Sequence, residues 1–142
     1  MALSMTATGL TGGNFGSEFD DYEEGSWTPT HATVTMSTTY GYYNKIGRQV
    51  ICPCHLVFSN AAATATFGGL PFTSQNTTID NIGPAMTSNV DFSGSGRTWC
   101  QTVVYQNNTT WAIYSSGDAN GVTSTQTTVN GQWSRMTCIY HT

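Results

Sequence analysis

The sequence predicts an all-β domain, an antiparallel β-sandwich, from its composition and from the spacing of its apolar residues. Charged residues make up 8% of the 142, against a usual share of about 25%, and threonine, serine, asparagine and glycine take their place. Aromatic residues make up 12%, a share that polar disordered sequences lack. From Trp27 onward apolar residues recur at every second position, and glycine, asparagine and proline separate the runs. These features favour short strands joined by turns.

The first segment of the chain predicts an arm that lies outside the domain core. Residues 1–18 are mostly small, polar or glycine, and their apolar side chains are isolated from one another. A segment of this composition frays unless a neighbouring subunit or a larger assembly holds it. We therefore expect an extended N-terminal arm over residues 1–18 and a single β-sandwich domain over residues 19–142. The side chains expected to bind the partner are Leu3, Leu10, Phe15 and Phe19.

An acidic cluster lies at the junction between the expected arm and the domain. Residues 18–24 hold five of the chain's eight acidic residues. A glycosidase needs two carboxyl groups about 5–9 Å apart across a cleft, one of them with a raised pKa. Acids packed so densely just before the first strand instead favour a solvated patch. We expect Tyr22 and Trp27 to anchor the junction, and Lys45 or Arg48 to meet the acids on the surface.

The charge balance argues against nucleic acid and membrane partners. Residues 26–142 carry four basic and three acidic residues, and the bases are scattered rather than clustered. Scattered bases form no patch for phosphate groups. The first residues lack the basic residue and the apolar run of a secretory signal, and no apolar stretch approaches a membrane span. We expect assembly in a cytosol, where cysteines remain thiols.

The clearest strand is predicted over residues 49–59. Pro53 lacks a backbone N–H, so we expect this strand to lie at a sheet edge or to carry a bulge. His55 falls on the face opposite to the cysteines of the same run. The apolar face consists of Val50, Cys52, Cys54, Leu56 and Phe58.

Turn residues divide the rest of the domain into further short strands. Gly47 is expected to turn one strand into the next, Pro71 to end another, and Asn107 with Asn108 to join two more. Seven or eight strands result, and no segment has a helical period. A jelly-roll-like β-sandwich is the natural closure for such a set. Besides residues 49–59, the expected strands cover residues 33–39, 38–47, 63–70, 76–86, 97–105, 109–116 and 132–142.

Cysteine and histidine residues raise the question of a zinc site or a catalytic dyad. Cys52, Cys54 and His55, with Cys138 and His141 near the C-terminus, are of the types that bind zinc. A Cys-x-Cys pair on a strand places both sulfurs on one face and the following histidine on the other, which favours small buried hydrophobic side chains. The sequence contains no G-x-S-x-G nucleophile elbow, and its glycine-rich start lacks the lysine of a phosphate loop. We therefore expect no catalytic residue, no metal and no cofactor.

Three motifs, taken in order, resemble a module of tailed bacteriophages and prophages. They are DYEEGSWTP at residues 21–29, YNKIG at residues 43–47 and GLPF at residues 69–72. In that family the module sits at the ends of tail-fibre and other virion surface proteins. The resemblance covers about residues 20–74, and it implies β-structure on a virion. This chain departs from the family at residues 52–55, CPCH, where alternating aliphatic residues are usual.

The resemblance implies a virion structural protein that is assembled in the host cytoplasm and is not an enzyme. The module fills nearly the whole chain, without a shaft or coiled coil ahead of it. This length favours a capsid decoration (cement) protein. We expect such a protein to form a homotrimer and to attach by its arm to the major capsid protein or to other virion proteins.

The alternative is a receptor-binding tip module of a tail or head fibre that recognises host surface glycans. Aromatic side chains keep this alternative open, because they stack on sugars as readily as they form core or subunit contacts. The six residues concerned are Tyr40, Tyr42, Tyr43, Tyr105, Trp111 and Tyr114.

Overall fold

All regular structure in the described residues is β-structure, which confirms the predicted all-β class. Paired strands run antiparallel throughout this part of the chain. It offers no helix of the length and apolar character that a membrane span requires. A computed structural model describes residues 4–6, 9–11, 22–60, 63–64, 66–88, 99–117, 120–123, 126–127 and 130–142.

Twelve strands lie within the described residues, and eight of them form one sheet. In chain order they are β1 (Ser4–Thr6), β2 (Gly9–Thr11), β3 (Tyr22–Ser26), β4 (Met36–Ile46), β5 (Gln49–Phe58), β6 (Ala63–Thr64), β7 (Asn81–Thr87), β8 (Trp99–Val104), β9 (Trp111–Gly117), β10 (Asn120–Thr123), β11 (Gln126–Thr127) and β12 (Trp133–His141). The large sheet has the order β10–β9–β8–β7–β12–β5–β4–β3. Strands β1 with β2, and β6 with β11, form two further two-stranded sheets.

Alternation along the central strands gives the large sheet one buried and one exposed face. In β5 the predicted apolar set is buried, and Ile51 and Pro53 are exposed between its members. β12 alternates in register with β5, so that buried Cys138 stands opposite buried Cys52. We call the buried side the inner face and the other side the outer face. The core on the inner face combines residues of β5, β9 and β12 with side chains from the connecting segments.

The large sheet curls until its two ends face each other. Trp111 begins β9, Trp27 directly follows β3, and five strands separate β9 from β3 in the sheet order. A flat sheet with strands about 4.8 Å apart would hold these ends roughly 29 Å apart, whereas the two indole rings lie 6.2 Å apart, edge to face. Single bridges from Thr30 to Gly68 and from Phe67 to Trp111 join the ends. The sheet therefore encloses its core, and the jelly-roll-like sandwich closure stays a prediction.

The first strand of the large sheet begins earlier than the sequence predicts. The alternating pattern starts at Trp27, but β3 precedes that residue and pairs with residues 42–46 of β4. A terminal strand contacts only one neighbour, so it tolerates the charged side chains that obscure its pattern. β4 is likewise one strand, where two were expected over residues 33–39 and 38–47.

Pro53 lies in the interior of the sheet, and the register of β5 does not shift at this residue, so it marks neither the predicted edge nor the alternative bulge. β5 has β12 on one side and β4 on the other. Its register with β12 continues through Pro53, which stands opposite Thr137. The residue pairs with β4 stop at Cys54 and resume at Ile51, on either side of the proline. The one absent N–H is thus accommodated within a central strand, whereas proline in sheets is usually confined to edges, strand starts and bulges.

Two other predicted strands differ in extent. Residues 63–70 were expected as one strand, but among its described residues, 63–64 and 66–70, β6 is the only strand, and Phe67 and Gly68 make single bridges instead. β7 runs through Gly83 and Pro84, which were expected to interrupt it. Both differences arise where a segment lies against two neighbours that are distant in sequence.

Candidate functional site

The three sequence motifs meet at one corner of the sheet. β3 lies along β4, so that Glu23 stands opposite Lys45. The pairing continues past β3, where the Trp27 amide donates to the Gly41 carbonyl at 3.0 Å. The indole Nε1 of Trp27 donates to the Tyr42 carbonyl, also at 3.0 Å. We call residues 22–30, Gly41, residues 43–47 and residues 67–72 the signature corner.

The third motif reaches the signature corner through its backbone. Thr30 and Gly68 exchange two backbone hydrogen bonds, of 3.1 and 2.8 Å. Gly69 has a φ of +88°, and a Cβ there would collide with the carbonyl oxygen of Thr28. This position therefore requires glycine for its backbone conformation and for the close approach of the first motif.

Phe72, the last residue of the third motif, ties the corner to the core. Its ring packs edge to face on Tyr43, with centroids 5.3 Å apart, and the Nζ of Lys45 lies 5.7 Å from the centroid of Phe72. The hydroxyl of buried Tyr140 donates to the Phe72 carbonyl at 3.1 Å, and the Phe72 amide lies 3.3 Å from the same hydroxyl. The motif residues thus serve packing and backbone pairing.

The described acids of the junction bind tyrosines rather than each other. The Glu23 carboxylate accepts a hydrogen bond of 2.6 Å from Tyr43, and Glu24 accepts one from Tyr22. These hydrogen bonds raise the pKa of both tyrosines. Because neighbouring residues of a strand point to opposite faces, the two carboxylates do not converge on one site. The other acids of the cluster, Glu18, Asp20 and Asp21, lie outside the described residues.

Three cysteines lie together on the inner face of the β5–β12 pair. Cys138 stands opposite Cys52, and Cys54 is the next inward residue of β5. Burial raises the pKa of Cys52 and of Cys54 to about 12, and it raises the pKa of Cys138. His55 points to the outer face, as the alternation predicts. In the described part of the chain, no three His, Cys, Asp or Glu side chains form a metal-binding group.

The predicted anchors and partner contacts occupy different environments. Trp27 is 6% exposed within the core, whereas Tyr22 is 59% exposed on β3. Leu10 lies in β2, and its backbone stands opposite Met5 in the pairing with β1. The partner role of the arm stays a prediction. Leu3, Phe15 and Phe19 lie outside the described residues.

The six aromatic residues that the sequence leaves open separate into two groups. Tyr40 and Tyr42, on the outward positions of β4, are 59% and 63% exposed. The other four are buried or half-buried, and they pack within the fold through ring contacts or a hydroxyl pair: Tyr43, Tyr105, Trp111 and Tyr114. The structure therefore leaves the β4 pair as the tyrosines of this set that can meet a ligand or a partner.

These two tyrosines border a groove of about 470 Å³ on the outer face. The groove crosses four adjacent strands, β4, β5, β12 and β7, so Tyr40 and Tyr42 stand at one side and Pro84 and Met86 at the other. We call it the outer groove. It is lined by Tyr40, Tyr42, Pro53, Cys54, His55, Pro84, Ala85, Met86, Arg135, Met136 and Thr137.

Arg135 supplies the only Lys, Arg, Asp or Glu side chain in the outer groove. It stands opposite His55 on β5 and opposite Met86 on β7, which places it near the middle of the floor. Its guanidinium carbon lies 5.0 Å from the ring of Trp133. Such a cation–π contact holds the charge in position and leaves its N–H groups available.

His55 adds a second polar group to the floor of the outer groove. Its Nε2 is shielded from solvent and has no hydrogen-bond partner among the described residues. Buried polar atoms of this kind are uncommon, and they often mark a place for water or a ligand. The lining offers stacking surfaces, hydrogen bonding and one positive charge, which are the properties of a binding surface.

A second hollow, of about 460 Å³, borders the outer groove at Tyr42. Glu24 contributes an exposed carboxylate to it, on the side of Tyr42 that faces away from β5. The two hollows therefore differ in charge: the outer groove contains the Arg135 guanidinium, and the second hollow, on the other side of Tyr42, contains the Glu24 carboxylate.

Sequence reasoning did not identify Arg135, Thr137, Pro84 or Met86 as site residues. A weak signal was present in β7, where the outward positions Ile82 and Met86 are apolar and 60% and 55% exposed. Apolar residues on the solvent side of a strand indicate a contact surface. The arginine gave no such signal, because its neighbours in the groove come from other strands.

Comparison with protein-family models, with curated proteins and with solved structures gave no match for this chain.

Proposed function

We propose that the chain is a bacteriophage virion structural protein, a homotrimeric capsid decoration protein that binds and stabilises the assembled head. The observation that supports this proposal is the signature corner, where the three motifs of the resembled virion module pack against one another. Their residues pair backbones and fill the core, so the motifs specify a fold that suits a particle surface. The described carboxylates of the junction do not converge, which is consistent with a role other than catalysis.

Decoration stabilises a shell because the protein binds the assembled state and not the separate subunits. Binding to one state shifts the equilibrium toward it, and the gain grows with the logarithm of ligand concentration over Kd. We assign the attachment to residues 1–18, the arm, with the major capsid protein or another virion protein as the partner. The β-domain then projects from the particle surface.

The test is a deletion of residues 1–17 compared with the full chain. We expect the shortened protein to keep its far-ultraviolet circular dichroism spectrum and its unfolding transition, and to lose co-sedimentation with heads that lack the protein. A full-length Tyr42→Ala variant, altered in the outer groove, serves as the control and should still co-sediment. Retained decoration by the deletion variant would contradict the arm assignment, and a monomer in analytical ultracentrifugation would contradict the homotrimer.

A second candidate function is the receptor-binding tip of a tail or head fibre that recognises host surface glycans. The exposed Tyr40 and Tyr42 beside a groove of about 470 Å³ favour it. Gold labelling of the protein on native particles in electron micrographs separates the two functions. Many copies over the head support decoration, and a few copies at the tail support a fibre.

A further inference from the structure

We propose that the outer groove binds a carbohydrate that carries a carboxylate, with Tyr42 as the stacking platform and Arg135 as the partner of the acid. The proposal rests on the second candidate function, glycan recognition, and specifies its site and its ligand class. It does not depend on where the protein sits on a particle, because the groove lies wholly within one chain.

The groove has the size and the surface for one or two sugar rings. Its volume of about 470 Å³ falls within the roughly 300–1,000 Å³ that is usual for small-ligand sites. Tyr40 and Tyr42 are 59% and 63% exposed at one side of the groove, and Pro84 provides an apolar surface across it. A pyranose ring has an apolar C–H face and a polar hydroxyl rim, so it packs on an aromatic ring while its edge remains hydrogen-bonded.

The charge of the lining selects an acidic sugar. Arg135 lies in the floor, and no Asp or Glu is among the lining residues to neutralise it. A guanidinium presents a planar fork of donors that matches a carboxylate in a two-bond arrangement. The contact with Trp133 at 5.0 Å orients that fork before a ligand arrives, which lowers the entropy lost on binding.

The charged side chains on the two sides of Tyr42 also favour one orientation of the ligand. Glu24 lies beyond Tyr42, on the side away from Arg135. A ligand stacked on Tyr42 meets repulsion if its carboxylate points toward β3 and attraction if it points toward β12. His55 stands opposite Arg135 in register, so it adds an imidazole beside the guanidinium in the floor of the groove.

The same observations disfavour a second copy of the chain, related by a two-fold axis, as the occupant. A symmetric contact through this face would bring Arg135 toward Arg135 of the other copy, with no acid in the lining between them. Like charges that meet in an interface repel each other and oppose association. A small acidic ligand meets no such cost.

The experiment measures binding of matched acidic and neutral saccharides to the full-length protein at neutral pH. Isothermal titration calorimetry compares digalacturonic acid with galactobiose, and sialyllactose with its neutral carboxyl methyl ester. We expect the acidic member of at least one pair to bind about tenfold more tightly than its neutral counterpart, the effect of one charge-assisted contact. Arg135→Gln should remove this preference, whereas Tyr42→Ala should weaken binding of both members.

Two control variants separate the site from general charge effects. Arg48→Gln removes the same charge at a residue outside the groove, whose Nε donates to the Thr142 carbonyl at 2.9 Å, and it should keep the preference. Glu24→Gln removes the repulsive carboxylate beyond Tyr42 and should leave the acidic sugar bound at least as tightly. Circular dichroism of each variant confirms that it is folded.

The results distinguish failure of this inference from failure of glycan recognition itself. If acidic and neutral sugars bind equally well and Tyr42→Ala loses both, the preference for an acidic ligand is refuted, but the groove remains a glycan-binding site. Binding that Tyr42→Ala leaves intact overturns the groove as the site. Absence of binding by all four saccharides overturns the proposal. A shift of Tyr42→Ala or Arg135→Gln to a smaller species in sedimentation also overturns it, because the face would then be a subunit contact.

Discussion

The signature corner and the outer groove lie on opposite faces of the same strand, β4. Inward from β4, Tyr43 and Lys45 contact Phe72 of the third motif. Outward from it, Tyr40 and Tyr42 border a groove whose other residues belong to no motif. Alternation along one strand therefore separates residues that specify the fold from residues that are free to specify a ligand.

This difference explains why a motif can identify a module without identifying its task. Larger side chains in the corner would collide with backbone and core atoms. At Gly41, for example, an added Cβ would lie 2.6 Å from the Trp27 carbonyl oxygen. Substitutions of the exposed groove side chains, such as Tyr42, meet solvent, so they change recognition at little structural cost. We expect variants of the corner to change stability, and variants of the groove to change binding.

The largest effect is expected for Trp27→Ala in the signature corner. The residue is 6% exposed and packs edge to face on Trp111. Its removal should lower the free energy of unfolding by about 3–5 kcal/mol, as is usual for a buried tryptophan. Urea unfolding measures the loss. Trp99→Ala is the control, since Trp99 is 50% exposed on β8, and a comparable loss there would break the distinction between corner and outer face.

A smaller loss is expected for Gly69→Ala, and its control isolates the cause. Gly69 and Gly131 both have a positive φ, +88° and +79°, but only Gly69 has a backbone atom in the way of a Cβ. Gly131→Ala should cost about 1–2 kcal/mol for the left-handed conformation alone. Gly69→Ala should cost clearly more, because the first motif must move away. Equal losses in thermal or urea unfolding would show that the contact with Thr28 is unimportant.

The buried thiols should make stability fall at alkaline pH. The folded-state pKa of Cys54 is raised to about 12, above its ordinary value of 9.0. Between these values the unfolded chain releases the proton and the folded chain keeps it, so stability present below about pH 9 is lost as pH rises. Each such thiol contributes a slope of about −1.4 kcal/mol per pH unit.

Replacement of one thiol checks this slope. Cys54→Ala should make the free energy of unfolding decline less steeply with pH, by about 1.4 kcal/mol per pH unit. Urea unfolding between about pH 9 and pH 11 measures this slope. Leu56→Ala removes a buried side chain from the same face of β5 without removing an ionisable group. It should lower stability and leave the slope unchanged. An unchanged slope in Cys54→Ala would mean that this thiol ionises alike in both states.

The smallest effect on stability is expected in the outer groove. Tyr42→Ala and Arg135→Gln alter exposed side chains and should change the free energy of unfolding by no more than about 0.5 kcal/mol. The saccharide measurements above detect their effect on binding. A loss of several kcal/mol in either variant would show that the groove also belongs to the structural part of the molecule.

The sequence was informative where neighbours along the chain decide the outcome. The run of β5 alternates over its full length, so its buried face and the outward position of His55 could be predicted from period alone. The burial of Cys52 and Cys54 follows from the same pattern.

It was not informative where distant segments decide the outcome. Pro53 appeared to mark an edge by a local rule, but the position of β5 is set by β12, which lies far along the chain. The bridges that join the sheet ends connect Thr30, Gly68 and Trp111, which no local pattern relates. The outer groove depends on β7 lying beside β12, and without that sheet order Met86 and Arg135 cannot be placed together.

The position of β3 at the end of the strand order suggests a role for the acidic junction in keeping separate copies of the protein apart. β3 is the last strand of the large sheet among the described residues, and a terminal strand can offer N–H and C=O groups to a strand of another chain. Glu23 and Glu24 lie on this strand, both exposed. Two such strands that approach edge to edge bring four carboxylates together, and their repulsion opposes the pairing. We expect these acids to oppose association of separate copies through their sheet edges.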